Sequence, residues 1–511
     1  MASPIAIEGE QNQMDAPVAH TALGDLRGVW IDGVAAFLGV PYASPPVGLL
    51  RMAPAAPVQR WTGQRDATRH GPIPPQLPSR LSVIMGSSSP RPQDEDCLTL
   101  TIRTPAADKM ARPVVVWLHG GALLSGAGSL DMTDGSQLAR EGDIVFVGVN
   151  YRLGALGWLY QPGIVDTEPG MSDVIAALSW VRDHITGFGG DPSRVTLMGQ
   201  SAGADIIARL LMMPDARALF GRAILQSPAL GTGFGFMTPD VAARSGASFL
   251  RLLDIDPHAD DALKRLRAID VPRLLQAQGD LMRSTARFAR SAPPFRPLVP
   301  TVMTLAEEFA AIADGISGGT VGIGKEILIG ITADEGHAFF AADPAMGNPL
   351  PEAVSERFGG EARLACYRAR RPGATAMDLL ADLLTVETFL LPAMGLAEAI
   401  AVRGGSVRAY VFDWAPPASR FRSCHVIELP FVFGTYEHSN APMLAGGDPA
   451  QMRDLSAAIR KAWIAFVRDG SPEHPMLPSW PRYDVTRRPA MRFGTRIGIV
   501  SDPAGLAQSA F

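Results

Sequence analysis

Short apolar runs rich in β-branched residues recur along the chain, at Val114 to Leu118, Ile144 to Asn150, Arg194 to Met198, Ala223 to Gln226, Glu326 to Thr332 and Val407 to Trp414. Runs that stay apolar, rather than alternating with polar residues, predict strands buried on both faces. Between two of them Val174, Ala177, Leu178, Val181 and Ile185 follow i, i+3, i+4, i+7, i+11 spacing, one apolar stripe of a helix. Such a helix packs on a sheet as a crossover. The rhythm therefore predicts an α/β protein with a large, mostly parallel twisted sheet covered by helices on both faces. The stretches from about Gly231 to Gly322 and from about Phe339 to Arg403 are helical in pattern with Pro and Gly breaks, and predict insertions that cap a site. The Pro-rich stretch Gly71 to Pro92 reads as a surface loop rather than a linker.

Composition narrows this further. Of 511 residues 47% are hydrophobic and 19% charged, ample for a large core, and one domain over residues 1–511 is expected. A net charge of −5 without any Lys/Arg-rich run argues against nucleic acid as a partner. Met1 to Met14 has neither a basic nor a continuous apolar region of a signal peptide. Apolar stretches such as Ile144 to Val149 are broken by Asn150 and Arg152 well short of a membrane span. A cytoplasmic protein without a membrane span, monomeric or homodimeric, is the expectation. Cys97, Cys366 and Cys424 show no CxxC spacing, so neither a disulfide framework nor a zinc site is predicted. Cys424 adjoins His425, but sequence neighbours need not point the same way, and a catalytic thiol is not expected there.

The chemistry is carried by Gly199-Gln200-Ser201-Ala202-Gly203, which follows a strand and precedes the helical face of Ile206, Ile207, Leu210 and Leu211. Strand, tight turn, helix is the context in which G-x-S-x-G projects a nucleophilic serine. Acyl transfer also needs backbone N–H groups aimed at the developing oxyanion. His119-Gly120-Gly121-Ala122, after an apolar strand, supplies them, and the N–H of Ala202 joins. A serine hydroxyl needs a base, and the base a carboxylate that holds its tautomer. Of the histidines after Ser201, His425 follows a strand at the carboxyl edge of the sheet, whereas His258, His337, His438 and His474 read as surface residues. For the acid, Asp334 and Glu335 both follow the strand Glu326 to Thr332, and both also suit capping the next helix; spacing does not choose.

At this point the chain resembles the type-B carboxylesterases, the group that includes cholinesterases and bacterial para-nitrobenzyl esterases. Phe37 to Ala43 with Pro45-Pro46-Val47-Gly48, Glu95 to Leu98, Asn150 to Gly154, Phe188 to Pro192 and Trp480-Pro481 with Tyr483 look like the family's blocks, in order over nearly the whole chain. The resemblance implies the α/β-hydrolase fold and a Ser201–His425–Glu335 triad. It also implies oxyanion donors at Gly121, Ala122 and Ala202 with Gly120 supporting the turn, an ion pair of Arg51 with Glu95, and Ser227 as a support of the triad. The implied activity is hydrolysis of small-molecule carboxylic esters through an acyl-enzyme, with no metal or organic cofactor. Amidase, thioesterase or lipase activity uses the same triad, and a non-catalytic binding module is the rival from another class.

Three departures from the family matter. Pro74 stands in the stretch where some members place a cysteine that pairs with the one at Cys97, so no such disulfide is expected. Ala122 and Leu123 replace the usual third glycine and an aromatic residue, adding a methyl and removing a ring from the pocket. Gln200 replaces the frequent Glu before the nucleophile and removes a charge that favours imidazolium. Phe234, Phe236 and Met237 are candidates for an apolar wall, although such side chains more often belong to a core.

Overall fold

The apolar runs do form strands. The computed structural model describes residues 15–231, 234–289, 292–317, 324–341 and 349–503. The leader reading of Met1 to Met14, and parts of both cap segments, thus lie outside the described residues. The main sheet has eleven strands. In chain order they are β1 (Val29–Ile31), β2 (Val34–Pro41), β3 (Thr99–Thr104), β4 (Arg112–Leu118), β5 (Val145–Val149), β6 (Gly190–Gln200), β7 (Arg222–Gln226), β8 (Glu326–Thr332), β9 (Ser406–Asp413), β10 (Pro489–Gly494) and β11 (Gly498–Ser501). Across the sheet they run β11-β10-β9-β8-β7-β6-β4-β5-β3-β2-β1. From β10 to β5 in that order every neighbouring pair is parallel, and antiparallel pairing is confined to the two edges.

β4 shows why its sequence is apolar without alternation. Val114, Val116 and Leu118 enter one core together with Val174, Ala177 and Leu178 of helix α1 (Pro169–His184) and Ile206, Ile207 and Leu210 of helix α2 (Ala202–Leu211). Val115 and Trp117 point the other way, into a second core with Leu455, Ile459, Trp463 and Phe466 of a long helix, Pro449–Asp469. Successive side chains on a strand face opposite sides, so a sheet covered twice needs apolar residues at every position.

The strand registers align one edge. Leu118 lies opposite Gly199, Gln200 opposite Gln226, and Gln226 opposite Gly330, so β4, β6, β7 and β8 all end in one row. The loops after these carboxyl ends, and after that of β9, where Phe412 lies opposite Thr332, carry the residues singled out in the sequence, as open α/β sheets build their sites.

Helix α3 (Ala376–Leu384) continues through a π-helical turn, Thr385–Leu390, into α4 (Leu391–Val402). Among the described residues this is the one helical stretch long and apolar enough to cross a membrane, and 67% of its most apolar window is buried inside the protein. It packs as a core helix. Asp378, Asp382, Glu387 and Glu398 interrupt its apolar pattern, which is why the sequence did not mark it as a span.

Candidate active site

β6 ends at Gln200 and α2 begins at Ala202, so the chain reverses direction on Ser201 alone. Ser201 takes φ 55 and ψ −127. A non-glycine residue held in such a conformation costs on the order of 1–3 kcal/mol and persists only where its surroundings enforce it. A Cβ on Gly199 would stand 2.6 Å from the carbonyl carbon of Gly203, and one on Gly203 would stand 2.0 Å from the carbonyl oxygen of Leu118. The two glycines thus let α2 approach β4 and β6 this closely. The N–H of Ser201 donates to the Gln226 carbonyl at 2.8 Å, which extends the sheet ladder into the turn.

The loop after β4 folds over this turn. A Cβ on Gly120 would lie 2.5 Å from Gln200 Oε1 and 3.1 Å from Ser201 Cβ, so glycine is required where the loop meets the serine. Gly121, Ala122 and Leu123 have φ of 113, 56 and 60, three successive residues in the left-handed half of the map. The N–H groups of Leu124 and Ser125 close the turn onto the Gly121 carbonyl at 3.0 and 3.1 Å. The Leu123 side chain is buried in the core. His119 stacks on Tyr151, 4.4 Å between centroids and 9° between planes, and the Tyr151 hydroxyl donates to the His119 carbonyl at 2.6 Å. Burial pulls the His119 pKa down to about 4, which leaves a neutral ring supporting the loop.

Glu335 and His425 meet. The Nδ1 of His425 pairs with Glu335 Oε2, and Glu335 Oε1 accepts the Thr332 N–H at 2.8 Å. Both side chains are sealed, at 0% and 1% exposure, so the carboxylate has no solvent to compete for its two donors. Glu335 opens the short helix Gly336–Phe340 without a side-chain capping bond, so capping does not account for it. Asp334 turns elsewhere: its N–H donates to the Ser423 carbonyl at 2.9 Å, and its Oδ2 accepts the Ser423 N–H at 3.3 Å. These bonds lace the acid loop to the loop that carries His425.

The other nitrogen of His425, Nε2, lies 3.0 Å from the amide nitrogen of Gln200. No hydrogen bond links Ser201 Oγ to His425 among the described residues. Phe339 and Phe389 pack on the imidazole at 5.1 and 5.0 Å and stack on each other at 5.9 Å. Phe389 is carried by the π-helical turn, whose Thr385 Oγ1 accepts the Gly336 N–H at 3.0 Å. The turn therefore ties a distant helix to both the acid and the base. No sequence signal announces it, because Thr385–Leu390 contains neither Gly nor Pro and lies within one continuous helical stretch. Phe234 meets Phe389 at 6.4 Å, whereas Phe236 and Met237 are core residues.

Ser227 is fully buried with φ 49, its N–H donates to the Gly330 carbonyl at 2.7 Å, and its Oγ has no partner among the described residues. Beside it Gln226 Nε2 donates to Glu428 Oε1 at 2.9 Å. Burial pushes the Glu428 carboxyl up to about 8, so it is largely protonated at neutral pH. Arg51 and Glu95 form the ion pair that the family resemblance implies, and Cys97 is a free, buried thiol.

One reading of the sequence needs correction. His337 is not a surface residue: it is 3% exposed, and its Nε2 lies 3.2 Å from Asp378 Oδ1. Donor atoms of Asp334, His337 and Asp382 lie within 4.8 Å of one another. Arg371 reaches Asp382 at 2.6 Å and Asp378 at 3.3 Å, and Arg422 reaches Asp378 at 3.4 Å. Guanidinium groups already balance these carboxylates, which makes this an ion-pair cluster against the outer side of the acid loop.

Residues 15–503 match the model of the carboxylesterase family. A phenmedipham hydrolase of Pseudarthrobacter oxydans is 39% identical over 91% of this chain and 93% of its own length. A para-nitrobenzyl esterase of Bacillus subtilis (strain 168) is 34% identical over 96% of this chain and 97% of its own. A solved para-nitrobenzyl esterase structure superposes with a TM-score of 0.83 at 32% identity, covering 97% of this chain and 99% of the other. A Geobacillus stearothermophilus carboxylesterase does so at 0.81 and 32%, covering 96% and 99%. The match of residues 15–503 to the family model, together with these relatives and solved structures, shows that the chain belongs to the carboxylesterase family and is a carboxylic ester hydrolase of the α/β-hydrolase fold.

Proposed function

We propose that this protein hydrolyses small-molecule esters by a two-step mechanism on Ser201, with His425 as the base and Glu335 as its orienting carboxylate. The observation that carries the proposal is the buried Glu335–His425 pair at the carboxyl edge of the sheet, beside a serine held at φ 55. A carboxylate on Nδ1 fixes the proton there and leaves the lone pair on Nε2. Ser201 Oγ attacks the ester carbonyl as Nε2 takes its proton, and the tetrahedral oxyanion is received by the N–H groups of Gly121, Ala122 and Ala202. The imidazolium returns the proton to the departing alcohol. Water, deprotonated by His425, then cleaves the acyl-enzyme and releases the acid. The described parts of the helical segments 231–322 and 339–403 act as the cap of a single unit, with Phe389 against the base and Phe234 against Phe389.

Release of para-nitrophenol from short and long acyl esters tests this reading, with wild type compared to Ser201→Ala. Loss of the signal in the variant is expected. Equal rates in the two proteins contradict it.

A further inference from the structure

Gln76, half-buried in the Pro-rich segment, binds both polar groups of one backbone residue in the loop that follows β4. Its Oε1 accepts the Gly126 N–H at 2.7 Å, and its Nε2 donates to the Gly126 carbonyl at 3.0 Å. The second proton of Nε2 goes to the Pro74 carbonyl at 2.9 Å. A primary amide used in this way acts as a strand partner would, since it satisfies the N–H and the C=O of a single residue and restrains its rotation. Gln76 is itself anchored. Its N–H donates to Gln93 Oε1 at 2.9 Å, and beside it the N–H of Ile73 donates to the Pro92 carbonyl at 2.8 Å and that of Asp94 to the Ile73 carbonyl at 3.2 Å. No disulfide shares this task, because Cys97 is a free thiol.

Through Gly126 the grip reaches the site. Gly126 has φ 109, and a Cβ there would stand 2.6 Å from the Gly120 carbonyl oxygen and 2.4 Å from His119 Nδ1. Its backbone therefore lies directly against the Gly120 carbonyl. His119 Nδ1 is 2.8 Å from the same oxygen and donates to it, because a carbonyl only accepts. One residue earlier Ser125 backs Gly121, where a Cβ would meet the Ser125 carbonyl oxygen at 2.0 Å. The Gly120 carbonyl and the Gly121 N–H belong to one planar trans peptide unit and point to opposite sides of it. Holding the carbonyl from behind thus sets the direction of the N–H in front. This unit borders the nucleophile, since a Cβ on Gly120 would stand 3.1 Å from Ser201 Cβ.

We propose that Gln76 is a positioning residue for ester hydrolysis: through Gly126 and the Gly120 carbonyl it aims the Gly121 N–H at the oxyanion formed on Ser201. This rests on the esterase reading of Ser201. Stabilisation of the oxyanion depends on donors that are aimed before the reaction begins, and a loop free to tilt loses part of it to reorganisation. Gln76 acts only through the loop, so its effect falls on the transition state and leaves ground-state binding nearly unchanged.

The test uses Gln76→Met, which keeps the length of the side chain and removes its three polar bonds, with para-nitrophenyl butyrate as substrate. kcat is expected to fall by about 10–10²-fold while KM changes by less than about threefold, because a displaced donor costs less than one removed outright. A pair of inhibitors, an alkyl trifluoromethyl ketone and the matching methyl ketone, separates this role from a structural one. Ser201 Oγ adds to the trifluoromethyl ketone carbonyl, its proton passes to His425, and the carbonyl π pair becomes an oxyanion; the methyl ketone binds without reacting. Gln76→Met is expected to weaken the trifluoromethyl ketone by the factor by which kcat/KM falls, and the methyl ketone by less than about threefold. A kcat within about twofold of wild type, equal weakening of the two ketones, or lost activity with unchanged trifluoromethyl ketone affinity overturns the proposal. Should Gln76→Met not fold, Gln76→Glu keeps the acceptor for the Gly126 N–H and loses the donor to its carbonyl. That variant must shift the ratio of the two ketone affinities in the same direction, and an unshifted ratio overturns the proposal. If wild type neither hydrolyses the ester nor prefers the trifluoromethyl ketone to the methyl ketone, it is the esterase reading that fails.

Discussion

The side-chain amide of Gln200 stands 3.0 Å from Nε2 of His425, on the nitrogen opposite the one bound to Glu335. With the proton held on Nδ1 by the carboxylate, Nε2 is an acceptor, and the amide N–H occupies it. The hydroxyl of Ser201 must therefore displace an amide donor, or share the lone pair with it, when the ester arrives. A neutral neighbour at this point also lends no charge to the imidazolium that forms during attack.

Replacing Gln200 by Glu supplies that charge. A carboxylate in contact with an imidazole favours its protonated form by roughly one pH unit or more. Because the protonated ring cannot act as base, the acid limb of the kcat/KM profile is expected to move to higher pH by about that amount, lowering rates on its acid side. Steady-state profiles of wild type and Gln200→Glu decide this. An unmoved acid limb contradicts the contact.

Glu335→Gln keeps the size of the side chain and removes its charge. The base loses both its tautomer control and the partner of its charged form, and kcat is expected to fall by about 10³–10⁴-fold, the scale for a triad carboxylate changed to an amide. Circular dichroism should show an unchanged fold. If kcat falls less than about tenfold, Glu335 is not the orienting carboxylate.

The serine turn has no room for a methyl group at Gly203, where a Cβ would stand 2.0 Å from the Leu118 carbonyl oxygen. The atoms it would meet are all backbone of Leu118 and His119, which leaves no flexible group to give way. Gly203→Ala is expected to lose about 3 kcal/mol of stability, at the upper end for overpacking, and most of its activity. Denaturant melts with parallel assays check this. Wild-type stability in the variant contradicts the packing described.

Glu428 gives a pH signature. Its folded carboxyl is raised to about 8 from an ordinary value near 4.5, because burial disfavours the ionised form. The unfolded chain thus releases this proton at lower pH than the folded one. Stability from this group is complete below pH 4.5 and declines as pH rises towards 8. Glu428→Gln removes the titration while keeping an acceptor for Gln226. The variant is therefore expected to gain stability relative to wild type between pH 5 and 8, measured by denaturant unfolding at each pH. A constant difference across that range argues against a buried, protonated Glu428.

The strands and the serine turn were legible because each rests on local rules. Runs apolar at every position mark the central strands, and glycines mark the close approaches at Gly199, Gly203 and Gly120. Glu335 was not separable from Asp334 by spacing, since adjacent residues leave a strand end with equal claims; family resemblance singled it out, and of the two it is the Glu335 carboxylate that meets His425 Nδ1. His337 was misplaced because its closeness in sequence to the acid argued against pairing with it but said nothing of burial, which comes from the contact with Asp378 far along the chain. The π-helical turn that delivers Phe389, and the bonds of Gln76 to Gly126, depend on contacts between segments far apart in the chain. No periodicity records such contacts.

The most direct measurement is the mass of the enzyme caught during turnover of a slowly hydrolysed para-nitrophenyl ester, quenched in acid and mapped by peptide. The account predicts one acyl group per chain, on the peptide containing Ser201, with a burst of para-nitrophenol of equal size, and neither in Ser201→Ala. Turnover at the normal rate with no acyl group on Ser201, or with the group on another residue, would contradict it.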